Sequence, residues 1–244
     1  MDMLEPILTD NTPADVAIYS DEKVNARRFN TLMISGIALP IVLYPFFSVL
    51  FLSPTQDLLY RLIFSRLVIW GVLGVLYLYT RYGEMQPFLL WKEEKYNASF
   101  YIKAIIGVYL LCFASAIAAH IPAWLGLHEN NGVLNKMGTI MKQYPVLLVF
   151  GAITAGITEE LVFRGYILSR LSLFFNNKHW PVLISAALFS FMHLGYKTLS
   201  EVIFSFLIGV VMAYHYQKYR NIKVVIIVHF LVDLIALSLF KGHK

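Results

Sequence analysis

The sequence predicts an all-α fold, a polytopic transmembrane helix bundle of about seven spans. Two observations predict it. The chain of 244 residues is 58% hydrophobic and 14% charged, where a soluble domain carries roughly 25% charged residues. Its mean hydropathy is +0.64. The apolar residues also fall in runs long enough to cross a bilayer, which takes about 20 residues. These runs predict spans at 31–52, 62–80, 100–120, 144–164, 181–194, 199–216 and 222–240. The run 181–194 is short for a span. The stretch 164–175 stays amphipathic and would add an interfacial helix, so six to eight membrane elements bracket the expectation.

The chain divides into a polar N-terminal tail (1–30), a first set of transmembrane helices (31–143) and a core of membrane helices (144–240). The tail is acidic, with Asp2, Glu5, Asp10 and Asp15 and no basic region, so it is not a signal peptide. Cys112 is the single cysteine and lies in a predicted span, which excludes an internal disulfide and a cysteine-built metal site. The formal net charge of +5 does not indicate nucleic acid. With the N-terminus inside, most Lys and Arg fall in the inner segments, including Lys23, Arg27, Arg28, Arg81, Lys92, Lys95, Lys178, Lys218 and Arg220. That is the bias of an integral, multi-pass membrane protein. The lack of targeting signals points to a bacterial cytoplasmic membrane. Pro40, Pro45, Gly36, Gly71 and Gly74 in the first two spans read as kinks and close-packing points. His128-Glu129 starts like a zinc-protease His-Glu-x-x-His, but Gly132 occupies the second histidine position. Asn97-Ala98-Ser99 matches a glycosylation acceptor, a triplet common by chance.

The core differs from the rest in its polar content. Glu159, Glu160, Arg164, His193, His229 and Asp233 all lie in hydrophobic runs. A charge at the bilayer centre costs about 2.5–3.5 kcal/mol on insertion scales. Six such residues must compensate one another and face a common interior. The spacing allows it. Glu160 and Arg164 are four apart and can pair on one helix face. Glu159 lies about 100° round the helix and points elsewhere. Phe189 and His193 share a face of the next span, and His229 and Asp233 share one on the last. Three helices thus present polar faces to one interior, as sites in bundles are built.

These residues resemble a known family. Glu159-Glu160-Leu161-Val162-Phe163-Arg164 matches Glu-Glu-x-x-x-Arg. Phe189 to His193 matches Phe-x-x-x-His, and His229 to Asp233 matches His-x-x-x-Asn/Asp. Their order on successive membrane helices is similar to that of the CPBP family, the CAAX prenyl endopeptidases and bacteriocin-processing (Abi) proteins. The resemblance covers about 144–240. It implies an intramembrane endopeptidase in which Glu159 is general base on water and His193 holds or polarises that water. His229 and Asp233 would line the oxyanion side, while Glu160, held by Arg164, organises the site. Phe189 would pack behind it. Asp233 takes one of two family options; when ionised it accepts hydrogen bonds and cannot donate to an oxyanion.

The family has been classed both as metalloprotease and as glutamate-dependent without metal. The metal-free reading is favoured, and zinc on Glu159, His193 and His229 is the alternative, since catalytic zinc uses three protein ligands and a water. The partners implied are the lipid bilayer and a peptide or membrane-protein substrate, lipidated in the family's eukaryotic members. Two other classes compete. Buried Glu, His and Asp also make proton relays in transporters, although no repeated halves are visible here. A silent membrane scaffold or immunity-type protein would keep the site without turnover. One geometric tension remains. With span four ending at Arg164, Glu159 lies near the inner end of its helix and His193 near the outer end of the next. The two meet if span four continues past Arg164 or if span five begins later.

Overall fold

The computed structural model describes residues 26–51 and 57–239. Most of the predicted tail, with Lys23, lies outside the described residues, as do Leu52, Phe240, Lys241 and Lys244. The chain folds into α1 (Ala26–Phe51), α2 (Leu58–Leu78), α3 (Ala98–Ala119), α4 (Ile121–Trp124) and α5 (Gly132–Gln143). Then follow α6 (Pro145–Glu160), α7 (Ser169–Leu171), α8 (His179–Phe191), α9 (Leu199–Tyr219) and α10 (Ile222–Leu239). Two π-helical segments, Tyr79–Glu84 and Leu161–Leu168, extend α2 and join α6 to α7.

Among the described residues, six helices are long and apolar enough to cross a membrane: Asn30–Val49, Leu58–Glu84, Ala98–Trp124, Pro145–Leu171, Leu199–Tyr219 and Ile222–Leu239. The predicted fifth span, 181–194, is the 13-residue α8. At 1.5 Å per residue it is about 20 Å long, short of the roughly 30 Å hydrocarbon core. It packs against α9 and the second π-helical segment instead. The stretch 164–175 is no separate interfacial helix. The fourth span runs unbroken from Pro145 to Leu171. That continuation past Arg164 removes the tension in the sequence reading: Glu159 sits near the middle of its helix.

One hydrophobic cluster joins the two parts of the chain, from Leu73, Leu76, Val108 and Cys112 to Ile167, Phe189, Met212 and Val228. α6 packs on α10, α8 on α9, and α3 on both α9 and α10. Gly156 makes the first pairing close. A Cβ there would stand 3.0 Å from the Ile226 carbonyl and 3.1 Å from the Phe230 nitrogen. This glycine is one turn before Glu160, and those two residues flank His229, so the missing side chain brings the two polar faces together. Gly36 is also a close-packing point, since a Cβ there would overlap Tyr166 Oη and stand 2.7 Å from Glu84 Oε1. Gly71 and Gly74 are not, having open space within 4 Å.

A second set of buried charges pins the far end of the long fourth helix. Arg170 is fully buried. Its Nη2 donates to Glu84 Oε2 at 2.8 Å and to the Pro87 carbonyl at 2.9 Å. Its Nε donates to the same carboxylate at 3.2 Å, and Nη1 to the Phe88 carbonyl at 2.7 Å. Tyr166 Oη donates to Glu84 Oε1, and the guanidinium stacks 3.9 Å from the Tyr166 ring centroid. α1, α2, the loop after α2 and α7 are thereby fixed to one another. The two short motifs noted in the sequence have structural uses. Glu129 Oε1 accepts from the Ser200 N–H at 2.5 Å and caps α9. Asn97 caps α3, its Oδ1 accepting from the Phe100 N–H at 2.9 Å.

Candidate active site

The two adjacent glutamates end α6, one residue before the backbone widens into the π-helical segment Leu161–Leu168. Such segments often mark functional sites. The two side chains separate as the 100° helix rotation requires. Glu160 is fully buried, and its Oε1 accepts from Arg164 Nη1 at 2.7 Å. The same oxygen lies 2.7 Å from His229 Nδ1. Opposite an ionised carboxylate, which only accepts, that nitrogen is the donor. His229 Nε2 then faces Glu159 Oε2 at 3.9 Å and Asp233 Oδ2 at 3.7 Å. These two separations exceed a direct hydrogen bond. Glu160 Oε2 and Arg164 Nη2 have no hydrogen-bond partner among the described residues.

Phe189 is the hub under this set. The Arg164 guanidinium stands 4.4 Å over its ring. Its edge meets the His229 ring at 6.0 Å and 90°, and His193 lies 4.7 Å away. The expected packing role of Phe189 thus takes a definite form: one buried ring holds three of the polar residues in place. His193 Nδ1 is 2.9 Å from the Phe189 carbonyl. A carbonyl accepts only, so Nδ1 carries the proton and Nε2 keeps its lone pair when the ring is neutral.

Glu159 is 16% exposed, and what exposes it is a cavity of about 340 Å³. Glu159, Val162 and Phe163 form one wall, and Met192, His193 and Tyr196 another. Tyr44 of α1, Arg61 and Arg66 of α2, and Val133 and Met137 of α5 complete it. His229 and Asp233 are not among the residues lining this cavity; His229 is 3% exposed and stands beside Glu159. The structure therefore brings together Glu159, Glu160, Arg164, His229, Asp233 and Phe189 by contact. His193 joins them through Phe189 and the shared cavity.

Several residues of the site region escape a reading of motifs. Tyr44, Arg61, Arg66 and Tyr196 line the cavity, and Glu201 of α9 is within electrostatic range of His193 and Asp233. Arg61 and Arg66 were legible as charges. Starting the second span at Leu62 left Arg61 outside it and Arg66 near its end, whereas α2 starts at Leu58. Among the described residues no group of three or more His, Cys, Asp and Glu side chains is arranged to hold a metal ion. Nδ1 of His229 is engaged by Glu160, and Nδ1 of His193 by a carbonyl. Zinc on Glu159, His193 and His229 would have to take the Nε2 atom of each histidine.

Comparison with known proteins bears on the same stretch. Residues 141–235 match the family described as type II CAAX prenyl endopeptidase Rce1-like. The six polar residues and Phe189 all fall inside the match. The UPF0177 protein YvdC of Lactococcus lactis subsp. lactis (strain IL1403) is 28% identical over 162 residues, 66% of this chain. The chain spans 59% of that relative's length. No solved structure matches. Over residues 141–235 the chain is thus similar to the CAAX prenyl endopeptidase type of the family that its three motifs resemble.

Proposed function

We propose that this chain is an intramembrane endopeptidase that hydrolyses a peptide bond with a water activated by Glu159. One observation carries the reading: of the two adjacent glutamates, only Glu159 faces the cavity, while Glu160 is engaged by Arg164 and His229. In this mechanism the Glu159 carboxylate takes a proton from water as the water oxygen attacks the scissile carbonyl carbon. His193, with Nδ1 tied to the Phe189 carbonyl, offers Nε2 to hold the water. The oxyanion forms on the side of His229, whose Nε2 donates in the imidazolium form. Asp233 orients that ring, which is a role an ionised Asp can fill. Collapse of the tetrahedral species breaks the C–N bond, and the proton held by Glu159 passes to the leaving amine. Phe163 and Val162 keep the wall beside Glu159 apolar.

The match to a prenyl endopeptidase family supports a peptide substrate, presented by or within the bilayer. The charge distribution supports the side from which it arrives. Arg81, Lys92, Lys95, Lys178, Lys218 and Arg220 gather at the end where α2 and α9 finish, whereas the cavity reaches Leu58 and Val133 at the other end. Under the positive-inside rule the basic end is cytoplasmic, so the N-terminus is inside and the cavity opens outward. Single cysteines replacing Lys136 and Lys178 in a Cys112→Ser background would check this. Impermeant maleimide should label the first in intact cells and the second only after lysis.

Hydrolysis is tested with Glu159→Gln, which keeps shape and polarity but removes the base. Purified variant in nanodiscs should cleave a peptide pool about 10²–10⁴-fold more slowly, with the wild-type melting temperature. Unchanged turnover would sink the mechanism. A proton flux in proteoliposomes that vanishes in Glu159→Gln would instead support a transporter. Full cellular function of that variant would support a silent scaffold.

A further inference from the structure

The cavity beside Glu159 carries two cations that hydrolysis does not use. Arg61 and Arg66 both line it from α2. Neither belongs to any ion pair among the described residues. Arg61 Nε is buried without a hydrogen-bond partner among the described residues. Arg66 Nε donates to the hydroxyl of adjacent Ser65 at 3.4 Å. Both arginines stand in a helix long and apolar enough to cross a membrane, where an unpaired cation is costly and usually functional. The two buried arginines show the contrast: Arg164 holds Glu160 at 2.7 Å and Arg170 holds Glu84 at 2.8 Å. Arg66 lines the same cavity as Glu159, His193, Tyr44 and Tyr196.

We propose that Arg61 and Arg66 form a carboxylate-recognition subsite. They seat a carboxylate of the same peptide that Glu159 attacks and so fix where along that peptide cleavage falls. The proposal rests on the peptidase reading. Guanidinium groups bind carboxylates through paired, charge-assisted hydrogen bonds. With His193 neutral, the lining carries one negative charge against two positive ones, Glu159 against Arg61 and Arg66. Without the arginines an acidic peptide would be repelled by Glu159; with them it is attracted. Their place on the wall of the Glu159 cavity favours a substrate group over a lipid headgroup.

The carboxylate is either the peptide's C-terminus or an acidic side chain, and the test separates them. Short dansylated peptides of random sequence are made as the free acid, the C-terminal amide, and the amide with one internal glutamate. Cleavage by the full chain is followed in zwitterionic nanodiscs, and binding by anisotropy on Glu159→Gln. The free acid or the glutamate peptide should show a KM about tenfold below that of the plain amide, with similar kcat. Arg61→Gln and Arg66→Gln should each pull that ratio toward one, and Arg66→Lys should keep part of it. Because an unpaired cation leaves an apolar helix, Arg66→Met should melt no lower than wild type; a lower melting temperature would show a structural arginine instead. Equal KM values for acid and amide, or an unchanged ratio in a folded Arg66→Gln, would overturn the subsite. So would loss of binding when phosphatidylglycerol replaces the zwitterionic lipid, which would place a headgroup there. Arginine-dependent preference for the acid in binding, without any cleavage by wild type, would uphold the subsite and sink the peptidase reading.

Discussion

Two buried Glu–Arg pairs have their arginines on the same unbroken helix, Pro145–Leu171, and they are bonded in opposite styles. In the pair of Glu84 and Arg170, every guanidinium nitrogen donates and both carboxylate oxygens accept. In the pair of Glu160 and Arg164, a single oxygen serves both Arg164 and His229, while Glu160 Oε2 and Arg164 Nη2 have no hydrogen-bond partner among the described residues. The first arrangement is saturated and sits where α1, α2 and α7 meet. The second is left partly open and sits beside a cavity lined by another glutamate. A fully satisfied buried network rigidifies a fold, whereas unsatisfied polar atoms are the ones that call for a functional explanation. The same chemistry thus serves as an anchor at one end of the helix and as part of a site in its middle.

Substitutions at the two pairs should separate these roles. Arg170→Met leaves Glu84 buried and uncompensated, and should cost about 3–5 kcal/mol in denaturant unfolding from mixed micelles. Its remaining turnover should track the folded fraction. Arg164→Met removes one charge-assisted bond and should cost about 1.5–3 kcal/mol. Here turnover should fall further than the folded fraction, because Glu160 loses the cation that fixes the oxygen it shares with His229. Equal losses of stability and activity in the two variants would erase the distinction. Gly36→Ala tests the anchor from α1. Its added methyl meets Tyr166 and Glu84, so a cost of about 1–3 kcal/mol is expected, with turnover per folded molecule kept. Asn97→Ala touches neither pair and removes only the cap of α3, for a cost of about 1 kcal/mol.

The sequence carried the second pair well and the first not at all. Glu160 and Arg164 are four residues apart, and helical geometry alone pairs them and turns Glu159 away. His229 and Phe189 were readable for the same reason, each being part of an i, i+4 motif on an apolar helix. Glu84 and Arg170 are 86 residues apart. No periodicity links a charge at the end of one helix to another so far along the chain. Nor do apolar runs reveal that α8 stops after 13 residues, or that the helix of Glu159 passes through a π-helical segment to Leu171. Hydropathy marks which residues avoid water and leaves backbone widening and tertiary capping unspecified. The first 143 residues read as membrane helices only, yet α1, α2 and α5 supply Tyr44, Arg61, Arg66 and Met137 to the cavity. Side-chain partners across helices had to be seen in three dimensions.

The claim that Glu159 activates water is tested most directly by the origin of the new oxygen in the product. Wild-type protein, prepared in ordinary water, is mixed with excess peptide-free buffer in heavy-oxygen water and given less than one equivalent of peptide. With Glu159 as general base, the new C-terminal carboxylate carries heavy oxygen in the first turnover, and the Glu159 side chain stays unlabelled. A first-turnover product with only ordinary oxygen, together with label in Glu159, would mean that the carboxylate attacks the peptide itself and would contradict the account.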